Sequence, residues 1–221
     1  MISALFLLVV TISTIDGMPY SLDEEATRLL ERRGKPVVCD AGKPGSIAFV
    51  FDTADGTNDF DDQKDYAAKI AKFLPENGKV SVAGLVYGGS TATTIPLGSE
   101  TTYDRLVSAI NGISEEEHGP RNEAAALTAA AGLLKDSSGE KAIVLFVDGS
   151  AADAAAAKAE VEKLEGNEIT VFFAFPKSLY SSLETELKEI ATEPYSLSLN
   201  AMNSLSLAES IGIEFDIKYS C

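Results

Sequence analysis

The chain has 221 residues, 45% of them hydrophobic and 24% charged, which suits one domain with a substantial core and excludes a disordered chain. Its 34 acidic residues against 18 basic ones give a net charge of -16, which excludes the basic footprint that nucleic-acid binding needs. The acidity favours solubility, and at long range it favours basic partners or cations, less so as salt rises.

Residues 4–12 (ALFLLVVTI) form an uncharged apolar run too short to span a bilayer, followed by Ser13, Thr14 and Gly17. This is the pattern of a signal peptide over 1–17, with only the amino terminus as its positive charge. No later stretch is long and apolar enough for a membrane span, so a secreted, extracellular product is expected. Residues 18–38 then form an N-terminal segment, and 39–221 the folded domain. Within that segment Leu22, Ala26, Leu29 and Leu30 share a helical face, and Arg32-Arg33 is a weak processing signal.

From residue 46 the pattern becomes regular. Residues 46–52 (SIAFVFD) read as a strand buried on both faces, ending in Asp52. Residues 59–74 carry Phe60, Ala67, Ile70, Ala71 and Leu74 at helical spacing, stopped by Pro75 and Asn77-Gly78. Residues 79–87 are a second strand, and 91–96 a short edge strand, since Pro96 cannot donate to a ladder. Helices are expected over 102–113 and 123–135, and a strand over 141–148 (KAIVLFVD) that again closes on an acid, Asp148. A helix over 151–164, a strand over 168–175, a helix over 178–191, a short strand over 195–199 and a last helix over 204–211 complete the chain. The alternation predicts an α/β fold, a doubly wound and mostly parallel sheet with helices on both faces, as a single domain. Ligands of such sheets bind beyond the carboxyl ends of the strands, where Asp52 and Asp148 sit.

Two cysteines, Cys39 and Cys221, flank the domain in an oxidising compartment. A disulfide between them would staple the ends, worth roughly 5 kcal/mol at most by loop entropy. A free thiol and a bridge to another chain are the rival readings.

Several enzyme chemistries lack their residues. There is no G-x-G-x-x-G after the first strand, no P-loop, no G-x-S-x-G and no HExxH. His118, the single histidine, lies in the polar loop 114–121 (SEEEHGPR) with no nucleophile singled out beside it. A carboxylate-pair hydrolase using Asp52, Asp55 and Asp148 is the remaining enzymatic alternative.

The strand ending in Asp52, the helical region entered through Gly119, the Ala126-Leu127 pair and the strand ending Asp148-Gly149-Ser150 together resemble the von Willebrand factor type A domain. The resemblance covers most of 39–221 and implies a vWA, Rossmann-like fold, flanking cysteines that bridge in some members, and a protein-binding role. Many members bind a divalent cation at a metal-ion-dependent adhesion site (MIDAS) built from D-x-S-x-S, a distant threonine and an aspartate. Hard cations take such oxygen ligands and leave one position for an acidic partner. Here the loop reads Asp52-Thr53-Ala54-Asp55-Gly56-Thr57, so Ala54 and Gly56 replace the serines, and Arg121 falls where the threonine is expected; Asp148 is kept.

The site is therefore degenerate, and no cofactor is expected. Arg121 presents a fork of donors suited to carboxylates, and its guanidinium is expected between Asp52 and Asp148 in place of the metal's charge. The alternatives are an Arg121 pointing to solvent, and a weak, shifted site for calcium or magnesium using Asp52, Asp55 and Asp148. The function expected is a secreted module of adhesion or matrix type that binds an extracellular protein ligand independently of metal. A secreted hydrolase and a self-associating structural matrix protein are the alternatives.

Overall fold

The chain divides into Met1–Lys35 and Pro36–Cys221. The computed structural model describes residues 38–40, 42–75, 78–115, 119–176, 180–191, 199–200 and 204–219, all in the second unit. The expected signal peptide over 1–17, residues 18–37, His118 and Cys221 lie outside the described residues.

β2 (Gly45–Asp52) is buried at every position, as its unbroken apolar run requires. It pairs in parallel with β3 (Val80–Tyr87) on one side and β5 (Glu140–Phe146) on the other. β4 (Thr91–Ile95) adds antiparallel to β3, while β6 (Ile169–Ala174) and β7 (Leu199–Asn200) continue the sheet in parallel beyond β5. The order is β4-β3-β2-β5-β6-β7.

Although β2 is apolar throughout, successive side chains serve different cores. Ile47, Phe49 and Phe51 join the cluster under α1 (Phe60–Ala71), α2 (Tyr103–Asn111) and α6 (Ser204–Glu214). Ala48 and Val50 face α3 (Glu123–Leu134), α4 (Ala154–Glu165) and α5 (Tyr180–Ile190). The first core is aromatic, with Phe51 stacked on Phe146 at 5.1 Å between centroids. In the second core Ala48 and Ala83 of the sheet meet Ala126 and Ala130 of α3, all fully buried.

The departures from the expected elements are local. β5 stops at Phe146, so Asp148 lies two residues past the strand, in the following loop. α4 begins at Ala154 rather than 151, because the Asp153 carboxylate caps it by accepting from the Ala156 amide. Of the alanine run 154–157 only Ala157 is buried, and it forms one stripe with Val161 and Leu164. The last helix, α6, runs one turn further than expected. β1 (Val38–Asp40) and β8 (Lys218–Tyr219), too short to show periodicity, pair antiparallel and bring the two ends of the domain together.

Candidate functional site at the carboxyl ends of the strands

Because β2 and β5 are parallel neighbours, their carboxyl ends deliver Asp52 and Asp148 to one rim. Asp52 is fully buried, and protein donors take up both its carboxylate oxygens. Oδ1 accepts from the Ala54 amide at 2.9 Å and the Thr57 hydroxyl at 3.0 Å. Oδ2 accepts from the Asp148 amide at 3.0 Å and from Arg121 Nε at 2.6 Å.

The peptide of Asp52 is fixed as tightly as its side chain. Buried Gln63, on the inner face of α1, accepts from the Asp52 amide at 2.9 Å and donates to the Asp52 carbonyl at 3.2 Å. One amide side chain thus ties the end of the central strand to the first turn of the next helix. Gln63 was not singled out from sequence. Its signal was present, since it is the one polar residue in the buried 60, 63, 67, 70 stripe.

Asp148 Oδ2 accepts from the amides of Asn58 and Asp59 at 2.6 and 3.1 Å. Asp59 is the N-cap of α1 but makes no side-chain capping bond, so a carboxylate from a distant strand satisfies the free amides at the start of this helix. Arg121 lies between Asp52 and Asp148, as expected, but its contact with Asp148 differs in kind. Its guanidinium pairs with one carboxylate, that of Asp52, and reaches the main-chain carbonyl of Asp148 at 2.6 Å, because the Asp148 carboxylate is engaged by α1.

Arg121 does not point to solvent, its side chain being 13% exposed. The start of α3 holds it in place, where the Asn122 side chain accepts from the Ala125 amide. Arg121 also donates to the Thr57 hydroxyl at 3.3 Å. Burial works against its charge, but the hydrogen bond and field of Asp52 prevail and raise its pKa above the ordinary arginine value. Gly149 lies directly under this group, where a Cβ would overlap the guanidinium.

The remaining positions do not restore a cation site. Ala54 and Gly56 bring no hydroxyl, and Gly56 adopts φ +86°, a conformation that strains any serine placed there. Asp55 is exposed and occupied elsewhere, its amide donating to the Gly119 carbonyl at 2.8 Å and its carboxylate accepting from the Gly119 amide at 3.1 Å. Among the described residues no three His, Cys, Asp or Glu side chains are grouped as metal ligands, and Asp55 turns to Gly119 while protein donors hold the carboxylates of Asp52 and Asp148. The donor set does not fit the divalent cation that the resemblance implied, because a guanidinium already holds the carboxylate a cation would use.

A further acid at the rim escaped the sequence reading. Glu123 opens α3, is 3% exposed, and has one carboxylate oxygen with no partner among the described residues. Burial raises its pKa first, and the field of Asp52 adds to this, against the opposing effects of backbone amides and Arg121.

The family model for the von Willebrand factor type A domain matches residues 46–211. The chain belongs to this family. Domains of this family mediate protein–protein interactions. No curated protein matches this VWA chain in sequence. Among solved structures it is similar to proximal thread matrix protein 1 from the mussel byssus, with a TM-score of 0.63 and 17% identity over 83% of this chain and 49% of that one. The chain thus spans about half the length of the mussel protein. In another structure of that protein, zinc occupies the MIDAS motif. The manganese-loaded TRAP protein of Plasmodium vivax matches with a TM-score of 0.66 and 12% identity, over 82% of this chain and 77% of that one. An aerotolerance-related membrane protein from Bacteroides fragilis matches with a TM-score of 0.62 and 19% identity, over 78% and 98%. At such identities the likeness is one of fold. Among the described residues no helix is long and apolar enough to cross a membrane.

Proposed function

We propose that this VWA domain is a secreted, non-enzymatic module that binds an extracellular protein without a metal ion. The observation that carries metal independence is the Arg121–Asp52 ion pair at 2.6 Å, which puts a protein cation against the aspartate that a divalent ion would otherwise use. A buried charge left without its partner is costly, so displacing Arg121 with a hydrated ion is unfavourable unless new ligands compensate. The missing hydroxyls at Ala54 and Gly56 are those ligands.

The same contacts support a non-enzymatic role. A hydrolytic carboxylate must be free to take or give a proton, whereas protein donors engage Asp52 on both oxygens and Asp55 is bound to Gly119. Secretion is supported by the apolar run at 4–12, and an adhesion or matrix role by the family and the mussel matrix protein. The pairing of β1 with β8 is in keeping with a Cys39–Cys221 disulfide, which mass spectrometry of the unreduced protein would reveal.

Calorimetric titration with magnesium and with manganese should give no binding heat. A pull-down from extracellular fluid should recover the same protein partner with and without a chelator. Micromolar metal binding, or a partner lost on chelation, would overturn metal independence.

A further inference from the structure

Among the described residues β4 is an outer strand, and the register shift between Thr93 and Ile95 leaves 91–93 as its regular stretch. Exposed edges are ordinarily blunted by charge, proline or a covering element, because their unpaired N–H and C=O groups template another strand. Residues 88–99 (GGSTATTIPLGS) contain no charged side chain in a chain that is 24% charged, and Pro96 falls just beyond the strand.

The ladder shows which groups are free. The Tyr87 carbonyl accepts from the Thr53 amide and hydroxyl, so it faces β2, and its partner Thr91 stands in a non-hydrogen-bonded pair. The Gly88 amide donates to the Ser90 carbonyl, which sets the same alternation from the other side. Ala92, opposite Val86, therefore points its backbone groups at β3, and Thr91 and Thr93 point theirs away from the sheet. Both threonines are exposed.

We propose that this edge pairs with the β4 edge of a second copy, antiparallel about a two-fold axis through Ala92. In that register Thr91 faces Thr93 of the second copy, and each pair exchanges both its N–H···O bonds, so every outward group just named is satisfied. The arrangement is self-complementary, as a two-fold interface requires, and its cross-strand neighbours are threonines, a favourable pair. The absence of charge from 88–99 is what selects this occupant. Two copies of a chain with net charge -16 can approach along a strand whose own residues bring no carboxylate to the seam. Such a contact is small and therefore weak, and it differs from charge-driven docking in strengthening as salt screens the repulsion between copies.

The proposal stands apart from the rim, and Thr93→Pro tests it. Proline is tolerated where the amide faces outward on an edge strand, so circular dichroism and the melting temperature of the variant should match the parent. Sedimentation velocity on the secreted chain, over a concentration series reaching about 1 mM, should show a monomer–dimer equilibrium shifted toward dimer by added salt. At high concentration the Thr91 and Thr93 amides should exchange more slowly with solvent. Thr93→Pro and Thr93→Lys should both sediment as monomer. A parent chain that stays monomeric throughout, or dimers that survive both substitutions, would overturn the proposal. So would edge amides protected only when an extended segment of another protein is added, since the edge would then belong to that partner.

Discussion

The rim and the β4 edge treat their polar groups in opposite ways. At the rim, a buried carboxylate, a cation, a glutamine and two helix starts satisfy one another, and Asp52 alone takes four donors. At the edge, Thr91 and Thr93 turn their backbone groups to solvent. Where polar groups are paired internally, as around Asp52, they contribute stability and are poor at recognising anything else, since a ligand must first break what is there. A region whose polar groups face outward can bind without breaking internal bonds, at the cost of displacing water and losing freedom of motion. The comparison teaches that a family site can keep its architecture and change its role, leaving recognition to another surface.

Substitutions sharpen this contrast, because those at the rim should be felt in stability and those at the edge only in association. The largest loss is expected for Asp52→Ala, which leaves the part-buried Arg121 without its counter-ion and strips acceptors from the Ala54 and Asp148 amides. Breaking a buried pair costs about 3–5 kcal/mol, and urea unfolding should read a loss of that order. A change below about 1 kcal/mol would mean that the rim is not the closed network described.

Gln63→Leu should cost less, about 2–4 kcal/mol, for the two backbone groups of Asp52 left buried without partners. Its α1 should also lose amide protection ahead of the rest of the domain. An unchanged midpoint would show that water replaces the side chain.

The smallest effect concerns pH. Because the pKa of Glu123 is raised in the fold, the native state holds a proton that the unfolded chain has already released at the same pH. Its contribution to stability therefore falls as pH rises from the ordinary glutamate value through the raised native one. Glu123→Gln should flatten that part of the stability profile and leave the melting temperature near its parent value at acid pH. If the variant follows the parent slope, another group is responsible.

Much of the fold was legible because β2, β5 and β6 are long apolar runs, and because helix periods in 59–74 and 123–135 are clear. Asp52, Asp148 and Arg121 were legible for a different reason: their order and spacing follow the family's, so a departure at one position stands out. What escaped depended on contacts between distant residues. The Asp148 carboxylate settles on the amides of Asn58 and Asp59, some 90 positions earlier, and no local pattern encodes that choice. Gln63 carried a signal, a polar residue in an apolar stripe, but its partner is a backbone and so has no letter in the sequence. β1 and β8, at two or three residues, are shorter than any periodicity that could announce them.

The pairing of β1 with β8 also fixes how the domain meets mechanical load. Val38 lies opposite Tyr219 and Asp40 opposite Lys218, so the chain enters and leaves at the same end of this small ladder. With Cys39 and Cys221 reduced, tension drawn through the two ends peels the strands apart one rung at a time, the weak direction for a β-ladder, rather than shearing all rungs together. The six-stranded sheet stands behind this latch and is loaded only after it opens.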